Sequence, residues 1–161
     1  MFKETIELEL QKHETRMDEI KVKIQKIAEE ITREKNLSGT HIERISNYEI
    51  EYHNLREYKV VFSFALENYK NPNFLSRFDL VKNTANEVIK QCQKSMDKFY
   101  LKYPENDIKD SDEISPRECE RICKDIEELE ELIAKQEKAK ARYRASLLVI
   151  NTYRKENEEK S

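Results

Sequence analysis

Residues 6–31, which read IELELQKHETRMDEIKVKIQKIAEEI, decide the fold because a large residue occupies every third or fourth position. These positions are Ile6, Leu10, His13, Met17, Ile20, Ile24, Ile27 and Ile31. Alternating steps of four and three place such residues along one side of an α-helix, as in helices that pack in coiled-coil fashion. The spacing predicts a first helix over about 3–36, followed by a turn that contains the only glycine, Gly39.

Two similar stripes follow after short connections. Thr40 and Glu43 form a capping-box pattern and predict a second helix over about 41–70, which ends before Pro72. A third helix is expected over about 73–103. Because both connections are short, we expect these three helices to be consecutive antiparallel neighbours.

A fourth helix is predicted over about 116–155, after an acidic segment at 104–115 that has no periodicity and is expected to be a loop. Ser115 at the N-cap, Pro116 at the first helical position and Glu118 three residues after the cap predict its start. Its stripe consists of Cys119, Ile122, Ile126, Leu129, Ile133, Gln136, Lys140, Tyr143, Leu147 and Ile150.

The composition agrees with an all-α fold and excludes several functional classes. Charged residues make up 39% of the chain, well above the roughly 25% of an average globular domain, as is typical of long solvated helices. A chain with one glycine cannot form the glycine-rich phosphate loops of nucleotide-binding folds. We therefore predict a single domain, residues 1–161, folded as an antiparallel bundle of four long helices with coiled-coil-like packing.

Neither a metal site nor a catalytic centre is predicted. A di-iron centre in a helical bundle needs a glutamate three residues before a histidine, and Leu10, Ser38 and Ile50 occupy the three available positions. Cys119 and Cys123 have the spacing of metal ligands on a helix, but no second pair lies in sequence range. We expect no cofactor, no small-molecule substrate and no enzymatic activity.

The expected location is cytoplasmic. The chain starts without a basic segment followed by an apolar one, and its longest apolar stretches, 60–66 and 147–150, are too short to span a bilayer. Three cysteines are an odd number and favour reduced thiols over a disulfide framework.

Apolar residues outside the stripes are the first candidate functional site. Clustered exposed apolar side chains mark an interface. Such residues occur on helices two and four, at the same end of the expected bundle. They form a candidate interface with another protein or a second copy. These residues are Val60, Val61, Phe64, Leu148 and Val149. The alternative is that a broad stripe buries them inside the bundle.

Basic residues are the second candidate site. The net charge of −3 gives no overall attraction to anions, so any such contact must be local. The candidate anion-binding residues form one row on helix three and one on helix four: Lys90, Lys94, Lys98, Lys102, Lys135, Lys138, Arg142 and Arg144. The alternative is that they form ordinary solvated helix faces.

Polar residues that interrupt the stripes are expected to share one layer of the core. They are His13, Lys59, Gln136 and Lys140, which have similar predicted depths in the bundle. We expect Gln136 and His13 to lie within hydrogen-bonding reach, since such a polar layer would fix the register of the helices.

Together these patterns favour a non-enzymatic protein–protein interaction module, an adaptor or scaffold subunit that also has the potential to form a homo-oligomer. The alternative is a helical module that binds membrane phospholipid or nucleic acid through the two basic rows.

Overall fold

The structure, a computed structural model, describes residues 1–103 and 115–160, so the expected acidic loop lies outside the described residues apart from Ser115. The described residues form four α-helices and no strand, which confirms the all-α bundle. The helices are α1 (Phe2–Glu34), α2 (Gly39–Asn68), α3 (Phe74–Lys102) and α4 (Pro116–Lys160). α4 has 45 residues and continues beyond its predicted end at residue 155.

The start of α4 was predicted correctly and the start of α2 was not. Ser115 Oγ accepts a hydrogen bond from the backbone N–H of Glu118, and Pro116 is the first helical residue. The capping box of α2 is formed by Ser38 and His41 instead of Thr40 and Glu43. Ser38 N–H donates to His41 Nδ1, so this ring nitrogen takes the place of the carboxylate that usually accepts the bond in a capping box.

The turn between α1 and α2 does not depend on its glycine. Lys35 ends α1 in the left-handed conformation with a φ of 51°, the only positive φ of a non-glycine residue among the described residues. Gly39 has no positive φ, and it is the first residue of α2. Lys35 therefore adopts the left-handed conformation, which is costly for a residue with a Cβ. Gly39, which could adopt this conformation without cost, lies in a helix instead.

The helices form two antiparallel hairpins, α1/α2 and α3/α4, that are joined mainly through the parallel helices α2 and α4. α4 packs along α3, contacts α2, and touches α1 to a smaller extent. α2 and α3 are consecutive in the chain but meet only near their connection, where the ring centroids of Phe64 and Phe78 lie 5.5 Å apart. The expected packing of α3 along α2 is therefore not found.

A hydrophobic core joins all four helices at the end of the bundle where α2 connects to α3. The Phe2 ring of α1 lies 5.6 Å from Phe74 of α3 and 5.5 Å from Tyr153 of α4. The buried residues of this core are Phe2, Ile6, Val61, Phe62, Ala65, Phe74, Phe78, Ala145, Val149 and Ile150. Away from this end, each hairpin has its own smaller set of buried side chains, such as Ile27 in α1 and Cys92 in α3.

The predicted hydrogen bond between His13 and Gln136 is wrong. Gln136 Nε2 donates to the carbonyl of Ile89 and to Gln93 Oε1, both at 3.1 Å and both on α3. The His13 ring instead packs against α2, with its centroid 5.3 Å from that of Phe62. The two residues belong to different hairpins, and helical spacing alone does not determine which neighbouring helix a residue faces.

A salt bridge joins α3 to α4 near the opposite end of the second hairpin. Lys102 Nζ donates to Asp125 Oδ2 at 2.9 Å, and the Tyr103 hydroxyl donates to the same oxygen. The hydrogen bond from Lys102, followed by that from Tyr103, lowers the pKa of Asp125 from its ordinary value. The salt bridge therefore stabilises the folded hairpin only while the carboxylate is ionised.

Moving the glycine from position 39 to position 35 should stabilise the protein. A Cβ at Gly39 would meet nothing within 4 Å, so Gly39→Ala should add stability, and Lys35→Gly should relieve the left-handed conformation. We expect the free energy of unfolding of the double variant, measured by urea denaturation, to rise by about 1–2 kcal/mol. The slope of this free energy against urea concentration should be unchanged. A lower midpoint for Gly39→Ala would contradict this view of the turn.

Asp125→Asn should weaken the α3/α4 hairpin at neutral pH but not in strong acid. Because the folded-state pKa is lowered, the contribution is present above the ordinary pKa of 3.8 and is lost as pH falls through the lowered value. Hydrogen exchange of the amides around Asp125 should be faster in the variant at neutral pH, and the difference between the two proteins should be lost in acid, once pH has fallen below the lowered pKa. An equal difference at both pH values would exclude a role for the ionised carboxylate.

Candidate protein-interaction cleft

α2 and α4 separate beyond the common core and leave between them a groove of about 990 Å³, here called the α2/α4 cleft. Its walls consist of Ile50, His53, Asn54, Arg56, Glu57 and Val60 of α2 and Glu130, Ile133, Ala134, Glu137, Lys138 and Arg142 of α4. These lining residues all lie within two long helices, so rigid backbone positions their side chains.

A charged cluster ties α2 to α4 where the two helices begin to separate. Glu57 Oε2 accepts a hydrogen bond from Arg142 Nε at 2.7 Å, and Glu57 Oε1 lies 3.7 Å from Lys138 Nζ. The Glu57 side chain is only 14% exposed. One half-enclosed carboxylate therefore holds two cations of α4 on the same side of the cleft, and this fixes the spacing of its walls.

The cleft also contains exposed apolar side chains on both walls. Ile50 is 56% exposed, Val60 50% and Ile133 38%. Ile133 belongs to the stripe that was predicted to pack inside the bundle. Ile133 stays exposed because α3 packs on the side of α4 away from the cleft, and α2 is separated from α4 by the cleft at this residue. A cluster of this kind in a groove differs from isolated surface residues, which need no explanation.

The five residues predicted as a protein interface do not form one surface. Val61 and Val149 are 5% and 0% exposed and belong to the core, so their prediction as interface residues is wrong. They are buried because α2 and α4 are in direct contact at this height, as the broad-stripe alternative supposed. Val60, Phe64 and Leu148 are exposed, and their role in an interface stays a prediction.

Of those three exposed residues, two lie close together. Val60 and Phe64 line a shallow depression on α2 whose other residues include Met17 of α1, and Leu148 does not line it. Val60 also lines the α2/α4 cleft, so the depression and the cleft are continuous along α2.

Several residues of the two predicted basic rows are already neutralised by carboxylates. Lys102 pairs with Asp125, Lys90 lies 4.0 Å from Glu87, and both Lys138 and Arg142 pair with Glu57. The other four, Lys94, Lys98, Lys135 and Arg144, are exposed and make no ion pair within the described parts of the chain. The structure thus separates the predicted anion-binding residues into paired and unpaired ones.

Other types of site find little support in the described residues. No group of three or more His, Cys, Asp or Glu side chains in residues 1–103 and 115–160 could hold a metal ion. Cys119 and Cys123 are exposed near the start of α4, and Cys92 of α3 is buried. None of the helices, over the residues that are described, is apolar for long enough to cross a membrane.

Sequence reasoning missed two of the central cleft residues, Ile50 and Glu57. Ile50 lies off the stripe of helix two, which was the same signal that singled out Val60, so it was open to prediction. Glu57 gave no signal, because its partner Arg142 is 85 positions away in the chain. Only the packing of the two hairpins brings this pair together.

No family model matches the chain, and no curated protein or solved structure matches it at a significant level. The cleft and its chemistry are therefore the features that indicate a function.

Removing Glu57 should destabilise the protein more than removing an exposed paired glutamate. Glu57→Ala leaves Arg142 and Lys138 without their shared acceptor in a half-enclosed place, and we expect a loss of about 1–3 kcal/mol. The control is Glu14→Ala, whose carboxylate is 47% exposed and lies 3.4 Å from Lys59, with an expected loss of about 0–1 kcal/mol. Urea denaturation measures both, and equal losses would refute a structural role for the charged cluster.

Proposed function

We propose that the protein is a non-enzymatic interaction module, an adaptor or scaffold subunit, that binds another protein through the α2/α4 cleft. The observation that supports this most is the exposure of Ile50, Val60 and Ile133 in a groove that folding leaves open. A cytoplasmic location and a capacity for self-association belong to the same proposal.

The apolar area that remains uncovered in the free chain is the source of the binding energy. Full burial of a side chain of this size contributes about 1.5–3 kcal/mol, and these three are already about half buried. A partner that covers these side chains gains the rest of this burial energy without rearranging the helices, because the groove is already open and the Glu57 cluster links its two walls.

Binding of an anionic membrane or nucleic acid through α3 is the second candidate. It is supported by Lys94 and Lys98, which are exposed and have no carboxylate partner within the described residues. It is weakened by the pairing of Lys102, Lys138 and Arg142. Affinity that rests on such lysines falls steeply with added salt, whereas affinity that rests on apolar burial does not.

The interaction function can be tested with the full chain immobilised as bait in a cell extract. Captured proteins are quantified for the wild type and for Ile50→Ser combined with Ile133→Ser. We expect a specific partner to be retained by the wild type and reduced about tenfold or more with the double variant. The helix content and melting temperature of the variant should be preserved, because both residues are exposed.

The matched control combines Leu8→Ser with Leu101→Ser, two exposed leucines that do not line the cleft. This variant should capture the same partner as the wild type. Equal capture by all three proteins would contradict the cleft as the binding surface. If phosphatidylserine vesicles or single-stranded DNA bind instead, and Lys94→Gln with Lys98→Gln abolishes that binding, the second candidate is correct.

A further inference from the structure

The α4 wall of the cleft continues as an apolar strip bordered by acids. Residues seven apart share a helix face, so Ile126 lies on the face of Ile133, and Glu127 lies on the face of Ala134. Ile133 and Ala134 both line the cleft. By the same spacing, Glu131 lies on the face of Lys138, which lines the cleft as well. Ile126, Glu127 and Glu131 are all exposed.

The α2 wall has the same character. Glu43 is exposed and stands seven residues before Ile50, so both point to the side of α2 that faces the cleft. Each wall thus has an exposed isoleucine, with acidic residues further towards the open end of the two hairpins.

Several acidic residues on the cleft faces of α2 and α4 do not form ion pairs with described residues of the same chain. Glu43, Glu127, Glu130 and Glu131 make no ion pair with any residue that the structure describes. Lys138 and Arg142 are engaged by Glu57 at the inner end of the cleft. Arg56, near Val60, is the one lining arginine or lysine that has no ion pair within the described chain. The outer part of the cleft is therefore apolar at its centre and negative at its edges.

We propose that the α2/α4 cleft receives an amphipathic helix of a partner protein, with an apolar stripe that packs between Ile50 and Ile133 and with lysine or arginine on both sides of that stripe. This inference rests on the interaction function proposed above and specifies the chemistry of the partner. The charge of the occupant follows from the unpaired acids of both walls.

The occupant is a helix because the cleft offers only side chains for recognition. Both walls are α-helices whose interior backbone groups are hydrogen-bonded within the helix, so an extended peptide finds no edge to pair with. A partner helix satisfies its own backbone and adds a further helix to the bundle. Its lysines can lay their aliphatic parts over the isoleucines while their ammonium groups reach the glutamates.

A second copy of this chain fits the cleft less well. Its most basic helix face, which includes Lys90, Lys94 and Lys98 on α3, has no apolar stripe to insert. All exposed positions of α3 from Asn83 to Lys98 are polar.

The test uses three synthetic peptides with the same leucine and alanine stripe. The first has lysines beside the stripe, the second has glutamates in the same places, and the third is the lysine peptide with a central proline that prevents a helix. Binding to the full chain is followed by fluorescence anisotropy. The lysine peptide should bind at least about tenfold more tightly than the other two, and its affinity should fall moderately with added salt.

Charge reversal on α4 locates the site. Glu127→Lys with Glu131→Lys should weaken binding of the lysine peptide by about tenfold and improve binding of the glutamate peptide. Ile50→Ser with Ile133→Ser should weaken both. The control is Glu128→Lys, which changes the neighbouring residue on the side of α4 that faces Lys98 and Lys102 of α3 and should leave both affinities unchanged.

Failure of this inference can be distinguished from failure of the proposed function. Serine at positions 50 and 133 could abolish capture of a cellular partner while the lysine peptide binds no more tightly than the glutamate peptide. In that case the cleft is an interface, and the inference that its occupant is a basic helix is wrong. Equal binding of the proline peptide would refute a helical occupant. If sedimentation shows self-association that the same serine variant abolishes, the occupant is a second copy and the inference is overturned.

Discussion

The packing of large aromatic side chains around Phe2, Phe62 and Phe74 at one end of the bundle is the contact on which the whole arrangement depends. It is the place where all four helices bury side chains together. Side chains of this size contribute about 1.5–3 kcal/mol each on burial, and no comparable cluster is found elsewhere in the described residues. Towards the other end, the two hairpins are held mainly by contacts within each pair.

The residues of α4 explain why the hairpins meet at one end and diverge at the other. Near the core α4 buries small residues, Ala141, Ala145 and Ser146, and small side chains allow helix backbones to approach closely. Nearer its N-terminus the same helix presents Glu130, Ile133 and Glu137 towards α2. Bringing α2 against these carboxylates would remove their hydration without supplying a partner for each charge, and this cost opposes closure. The Glu57 cluster lies between the part of the bundle where α4 approaches α2 and the part where the two helices diverge.

Sequence reasoning succeeded where the determining interaction is local and failed where it is not. Periodicity and capping predicted four helices and the start at Ser115 and Pro116, because the partners lie within a few residues of each other. The same patterns could not assign faces to neighbours. Val61 looked exposed and is buried, whereas Ile133 looked buried and is exposed, since both outcomes depend on where α2 leaves α4. The helix face on which a residue lies follows from the local sequence. Whether another helix buries that face depends on the tertiary arrangement.

The α2/α4 cleft is open in the structure of the chain alone, as the proposed interface requires. Its walls belong to helices anchored by the aromatic core at one end, and the Glu57 cluster fixes their separation, so little ordering is left to occur on binding. Closing the two walls on each other would bring α2 against Glu130 and Glu137 of α4 and remove the hydration of these carboxylates. Apolar surface is therefore kept exposed by an electrostatic constraint, and covering it from outside is the route that leaves both the core and the charged cluster intact.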